Sequence, residues 1–193
     1  NWIAVRYSKQ PVADQAAYEK KLEVTREYLR PDMEVLEFGC GTGSTAIVHA
    51  PYVKHIHAID ISSKMLEIAR AKVDAAGIGN ITFTEADFDD VPVPDESVDV
   101  VLGLSILHLV ENRDAVIAKV YRMLKPGGIF VISTACIGDM AAFLKVIVPV
   151  GRCLGLLPTI RVFTSDEFVH SLTNAGFEID HRWQPNKKKA LFI

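Results

Sequence analysis

Three cysteines in 193 residues, Cys40, Cys136 and Cys153, are too few and too scattered for a disulfide framework or a zinc site. An odd count inside apolar segments points to reduced thiols, so a cytoplasmic setting is expected. Long apolar runs are missing as well. The most apolar region, Met140 to Pro158, is broken by Lys145, Pro149 and Arg152, which argues against a membrane span of about 20 residues. No early run resembles a secretory signal, and a chain starting at Asn1 is expected to have had its native start trimmed. Neither sign of charge dominates. Lys and Arg number 21 against 24 Asp and Glu, for a net charge of −3, so no nucleic-acid partner is expected. The one basic run, Lys187-Lys188-Lys189, reads as a solvated turn. His49, His55, His57, His170 and His181 have no metal-ligand spacing; they are assigned structural or surface roles, and no metal is expected.

Ordinary globular composition remains, 49% hydrophobic and 23% charged, in a length that suits one domain. Apolar runs alternate with amphipathic stretches, the pattern of a parallel sheet with crossover helices. Strands are expected at Glu34–Phe38, His55–Asp60, Ile81–Glu85, Val98–Leu104, Ile129–Thr134, Glu178–Trp183 and Ala190–Ile193. Ser62 or Ser63 can cap a helix with Met65, Leu66, Ala69 and Val73 on one side, stopped by Gly77. Asn112 can cap another that carries Val116, Val120 and Leu124, with Pro126 beyond it. Thr164 and Glu167 form a capping box before Phe168, Leu172 and Ala175, and Gly176 closes that helix. A further amphipathic stretch, Pro11 to Leu29, precedes the first strand. No repeat, low-complexity tract or linker interrupts the pattern.

Chemistry concentrates after the first strand. Val35-Leu36-Glu37-Phe38 runs into Gly39-Cys40-Gly41-Thr42-Gly43, and the next strand ends in Asp60. Alternate glycines let backbone groups approach a ligand with no Cβ in the way. A strand-end carboxylate can accept two hydrogen bonds from a ribose diol. The dinucleotide fingerprint wants a third glycine where Ser44 stands, and no Gly-Lys-Ser/Thr follows for a phosphate-gripping loop. Glu37 would repel a pyrophosphate but would suit an ammonium or sulfonium group. A ligand with a ribose, a positive charge and no phosphate is S-adenosylmethionine.

In these segments the chain resembles the class I S-adenosylmethionine-dependent methyltransferases, over nearly all of Glu34 to Ile193. Val35–Gly43 resembles the family's first motif. Asp60-Ile61-Ser62-Ser63-Lys64-Met65 is similar to the ribose-binding acid followed by a methionine that contacts adenine. Glu85-Ala86-Asp87-Phe88 resembles the segment whose acid accepts from the adenine amino group. Val98-Asp99-Val100-Val101 with Leu107-His108, and Leu124-Lys125-Pro126-Gly127-Gly128, resemble the fourth strand and the turn into the fifth. The nearest flavour is the small-molecule branch that includes ubiquinone and menaquinone biosynthesis methyltransferases. The resemblance implies a Rossmann-like three-layer α/β sandwich, its seven-stranded sheet mostly parallel with an antiparallel last strand. It implies cofactor contacts from Glu37, Gly39, Cys40, Gly41, Gly43, Asp60, Ile61, Met65, Asp87, Phe88 and Leu104, with S-adenosylhomocysteine as product. Glu37 stands where Asp is commoner, and Gly103-Leu104-Ser105 replaces the Asn-Pro-Pro-Tyr-like signature of enzymes that methylate adenine or amide nitrogens.

The implied reaction is in-line displacement at an already activated methyl group, in which a protein mainly orients and desolvates. The acceptor expected is a small, partly apolar molecule. His108, after the fourth strand, is a candidate general base, although a packed histidine that positions the loop is the stronger reading. The segment 137–163 is long and apolar. Met140, Phe143, Leu144, Ile147 and Leu156 either line an acceptor pocket or belong to a further core helix. Trp2, Tyr7 and Tyr18, within an N-terminal helical cap over 1–30, are candidates to close over the cofactor. Two alternatives remain: a non-catalytic S-adenosylmethionine-binding module, and an NAD(P)-dependent oxidoreductase.

Overall fold

The computed structural model describes residues 14–110, 112–140, 162–186 and 189–193. Trp2, Tyr7, Phe143, Leu144, Ile147, Cys153, Leu156, Lys187 and Lys188 lie outside the described residues. The chain divides into two compact units, Asn1–Leu102 with Leu124–Ile129, and Gly103–Met123 with Phe130–Ile193. Along the chain the strands are β1 (Glu34–Phe38), β2 (His55–Asp60), β3 (Ile81–Glu85), β4 (Val98–Leu104), β5 (Leu124–Thr134) and β6 (Leu191–Phe192). The helices are α1 (Gln15–Glu27), α2 (Ser44–His49), α3 (Ser63–Ala76), α4 (Arg113–Met123), α5 (Ile137–Met140) and α6 (Ser165–Asn174). Strand order in the sheet is β3-β2-β1-β4-β5-β6.

In the first unit β1 pairs in parallel with β2, from Glu34↔His55 to Phe38↔Ile59, and with β4, from Val35↔Val100 to Glu37↔Leu102. β2 pairs in parallel with β3. Val35, Leu36, Phe38, Ile56, Ala58 and Ile59 are almost completely buried, as strands covered on both faces require. Asp99 ties the bottom of the unit together: it accepts from the Glu34 amide at 2.8 Å, and Lys125 Nζ donates to both its oxygens at 2.9 Å. Helix α3 starts where Ser62 Oγ accepts the Met65 amide and ends at Gly77 with φ of 65°. It buries Leu66, Ala69 and Val73, one stripe of a 3.6-residue period.

Among the described residues the second unit holds the last strands and the helices α4, α5 and α6. β5 and β6 are antiparallel, with Ser133 opposite Phe192 and Thr134 opposite Leu191. Asn112 Oδ1 accepts the Ala115 amide at the start of α4, which buries Val116, Ile117, Val120 and Met123. The capping box of α6 is complete: Thr164 Oγ1 accepts the Glu167 amide, and Glu167 Oε2 accepts the Thr164 amide. Arg113 of α4 donates to Ser171 Oγ of α6 at 2.7 Å. The base of the 137–163 segment is drawn together. Gly138 N–H donates to Phe163 O at 2.9 Å and Ser165 N–H to Asp139 Oδ2 at 2.8 Å. A Cβ on Gly138 would lie 2.8 Å from the Phe163 carbonyl carbon, so only glycine fits there.

Two expectations need correcting. The sheet has six strands among the described residues, not seven, because Glu178–Trp183 does not form a strand. Its alternation is real, but β6 offers only two residues, and one antiparallel bridge, Trp183 with Phe192, is all that closes. Glu178, Asp180 and Arg182 stay exposed. The fifth strand also begins at Leu124, earlier than the expected Ile129, and runs through Gly127 at φ of 74°. Among the described residues no helix is long and apolar enough to cross a membrane.

Candidate functional site

At the top of β1 the chain leaves Phe38 and turns through Gly39, Gly41 and Gly43, all with positive φ (65°, 55° and 70°). Two of these glycines are required for different reasons. A Cβ on Gly43 would meet Ala69 at 3.0 Å and the Phe83 ring at 3.1 Å, so glycine lets the turn pack against α3 and β3. Around Gly41 a Cβ would meet nothing within 4 Å. The backbone there borders open space, as a ligand cradle requires.

Asp60, at the end of β2, shapes that cradle. Its Oδ2 accepts the Gly41 amide at 2.8 Å and its Oδ1 accepts the Ser62 amide at 2.9 Å. Each carboxylate oxygen keeps a second lone pair for a further donor. Ile61, the next residue, is a large apolar side chain 72% exposed. Met65 follows one turn into α3 and is half-buried.

Glu37 lies beneath the turn, 3% exposed, with Oε2 buried and unpartnered. Burial pushes its carboxyl up to about 8, with the nearby Asp60 charge adding to the rise and a hydrogen bond from the Ala46 amide opposing it. An orphaned, buried carboxylate oxygen beside an open cradle is an acceptor waiting for a donor. Tyr18 of α1 reaches the same region, its hydroxyl hydrogen-bonded to Thr45 and its phenol raised by burial and further by Glu37. Cys40 is buried, and its thiol is held well above the usual range by burial and by the Glu37 and Asp60 charges.

The first unit therefore brings together Glu37, Gly39, Cys40, Gly41, Gly43, Asp60 and Ile61. Asp87 caps the short turn Phe88–Asp90 by accepting the Asp89 amide, and Phe88 stacks on Phe38 with ring centroids 4.4 Å apart. Leu104 and His108 belong to the second unit. Leu104 is half-buried at the end of β4, and Ser105 after it is held at φ of 61° with its amide donating to Ser133 O. A non-glycine residue in that conformation stores strain, a frequent mark of functional loops. His108 Nδ1 is buried without a hydrogen-bond partner, and burial lowers the imidazole's basicity.

Lys72 was not singled out by its sequence context. Its Nζ donates to Thr42 O at 3.1 Å, to Thr42 Oγ1 at 2.9 Å and to Ser44 Oγ at 3.2 Å, clamping the glycine turn to α3. The available signal was its position three residues after Ala69, on the helix side that meets the turn. Replacing Lys72 with Met is expected to weaken binding of S-adenosylhomocysteine about tenfold by calorimetry, from loss of ~1.4 kcal/mol of net hydrogen bonding. Unchanged affinity would show that the turn holds its shape unaided.

Comparison with known proteins adds an independent line. Residues 35–128 match the family described as "Methyltransferase domain". Over 113 residues the chain is 34% identical to the ubiquinone/menaquinone biosynthesis C-methyltransferase of Shewanella pealeana, covering 56% of this chain and 45% of that protein. The chain thus spans about half the length of the curated relatives it matches. Its fold is similar to an S-adenosylmethionine-dependent methyltransferase from Aquifex aeolicus, with a TM-score of 0.73, 18% identity and coverage of 98% and 95% of the two chains. It is also similar to phosphoethanolamine N-methyltransferase 2 of Haemonchus contortus, solved with phosphomonomethylethanolamine and S-adenosylhomocysteine. There the TM-score is 0.69 and the identity 20%, with 87% of this chain and 39% of that one covered.

Proposed function

We propose that this chain, whose residues 35–128 match the family described as "Methyltransferase domain", is a class I S-adenosylmethionine-dependent methyltransferase that transfers a methyl group from that cofactor to a small, partly apolar acceptor. The observation that carries the reading is the pair of carboxylates around the open face of Gly41. Asp60 retains acceptor capacity for a ribose diol, and Glu37 presents a buried, unpartnered oxygen to a positive charge. Those residues fit the cofactor's two distinctive groups. Ile61 is the apolar face for its adenine, and Met65, Asp87 and Phe88 are assigned to the same end.

When bound, the cofactor supplies a methyl group on a sulfonium that is already a good leaving group. The chain's task is to hold that carbon in line and exclude water. Gly39, Gly41 and Gly43 give the backbone access, and Lys72 keeps the turn in shape. For an acceptor that must lose a proton, His108 is the proposed base. Burial favours its neutral imidazole, the form that can accept one. The 137–163 segment is assigned to acceptor recognition, in keeping with its apolar composition, and the 1–30 stretch to a cap within the same single domain. The relatives' role in quinone biosynthesis favours a ring-bearing acceptor that carries an apolar part. Buried, unpaired Cys40 and Cys136 agree with the cytoplasm as the place of action.

Calorimetry and thermal shift with S-adenosylmethionine, S-adenosylhomocysteine and NADH test the assignment. Saturable binding of the first two, and none of the third, is expected. Binding of NADH alone would overturn the reading in favour of an oxidoreductase. Mass spectrometry of a panel of quinol, phenol and amine acceptors then reads which class gains a methyl group.

A further inference from the structure

Glu37 is an expensive residue to keep charged. It is 3% exposed on a central strand, with Oε2 lacking any hydrogen-bond partner. The titratable groups that bear on it among the described residues are Asp60 from β2, the Tyr18 phenol from α1 and the Cys40 thiol from the turn. None of these brings a positive charge. The Ala46 amide of α2 supplies one favourable dipole. Asp60 already accepts from the Gly41 and Ser62 amides, whereas Oε2 of Glu37 has no donor. The charged form of Glu37 is penalised first by burial with an oxygen that has no donor, and the Asp60 charge adds to that cost.

We propose that Glu37 is a neutral carboxylic acid in the ligand-free protein and loses its proton when a cationic ligand enters, so that binding releases one proton. The inference rests on the cofactor reading above and adds to it. The ligand's positive charge replaces the proton as partner of Oε2, and the proton passes to solvent. No bond to carbon is made or broken and no oxidant is involved. With a carboxyl titrating at about 8 in the free site, affinity for a cationic ligand rises with pH below that value, about tenfold per unit. Above it the affinity levels off, because the proton has already gone.

The test is calorimetry of S-adenosylhomocysteine, which carries an ammonium group, at pH 7 in phosphate and in Tris. Adenosine, which shares the nucleoside but has no cation, serves as the contrast. A released proton is taken up by the buffer, and protonating Tris gives off much more heat than protonating phosphate. The apparent enthalpy for S-adenosylhomocysteine is therefore expected to be more exothermic in Tris, by the equivalent of about one proton, with no difference for adenosine. In Glu37→Gln the buffer difference should vanish. Equal enthalpies in the two buffers for the wild-type protein, or a buffer difference surviving in Glu37→Gln, would overturn the proposal while leaving the cofactor assignment intact. Absence of any S-adenosylhomocysteine binding would instead remove the cofactor assignment itself. Should Glu37→Gln fail to fold, the wild-type contrast between the two ligands decides alone.

Discussion

Replacing Asp60 with alanine should raise the Kd for S-adenosylhomocysteine about a hundredfold, the equivalent of roughly 3 kcal/mol. Two losses add up to that figure. One is the proposed diol contact, a charge-assisted pair of hydrogen bonds of which each is worth about 1.5–3 kcal/mol. The other is the shape of the cradle, since Asp60 holds the amides of Gly41 and Ser62 at 2.8 and 2.9 Å. Without it those amides turn to water, and the turn must be reordered whenever ligand arrives. The two losses overlap, which keeps the total near two decades. Asp60→Asn retains one acceptor oxygen and should fall between the two. Calorimetry reads the affinities, and circular dichroism confirms that each variant is folded. A change below fivefold in Asp60→Ala would mean that the ligand does not use this carboxylate.

The second large effect is on stability. Phe38 is 1% exposed, and its ring stacks on Phe88 with centroids 4.4 Å apart and planes at 28°. Phe38→Ala should cost about 3–5 kcal/mol, from lost transfer energy and the cavity left in a close-packed strand layer. At 2–4 °C per kcal/mol for a chain of this size, Tm should drop by roughly 6–20 °C. Phe38→Leu should recover most of the loss, because an aliphatic side chain refills the space. Since Phe38 precedes Gly39 and Phe88 follows Asp87, affinity at low temperature should weaken too. A thermal melt within 2 °C of wild type would show that the ring is not part of the core.

The first four strands were legible to the residue, and the reason is physical. Parallel strands buried on both faces are short, nearly continuous apolar runs, and glycine or acid punctuates their ends. The caps at Ser62 and Thr164 were readable because capping is local chemistry between neighbours in sequence. Features that depend on distant partners were not. Leu124 sits at helical spacing from Val116 and Val120, yet the backbone pairing of β5 starts there. Glu178–Trp183 alternates like a strand, but alternation does not supply a neighbour. The glycine turn and Asp60 could be placed together from spacing alone. Lys72, 30 residues from Thr42, and Tyr18, reaching Thr45, belong to contacts that only folding brings about. His49, assigned to structure or surface, is wholly buried with neither ring nitrogen paired.

The bonds of Gly138 with Phe163 and of Asp139 with Ser165 make those four residues a splice point. Grafts joined there meet a junction already closed by hydrogen bonds, which need not be rebuilt when the insert is changed. Mutation and recombination can then trial new insertions on a fixed frame. In an engineering setting, grafts joined at 138 and 165 would be the place to start a search for altered acceptors.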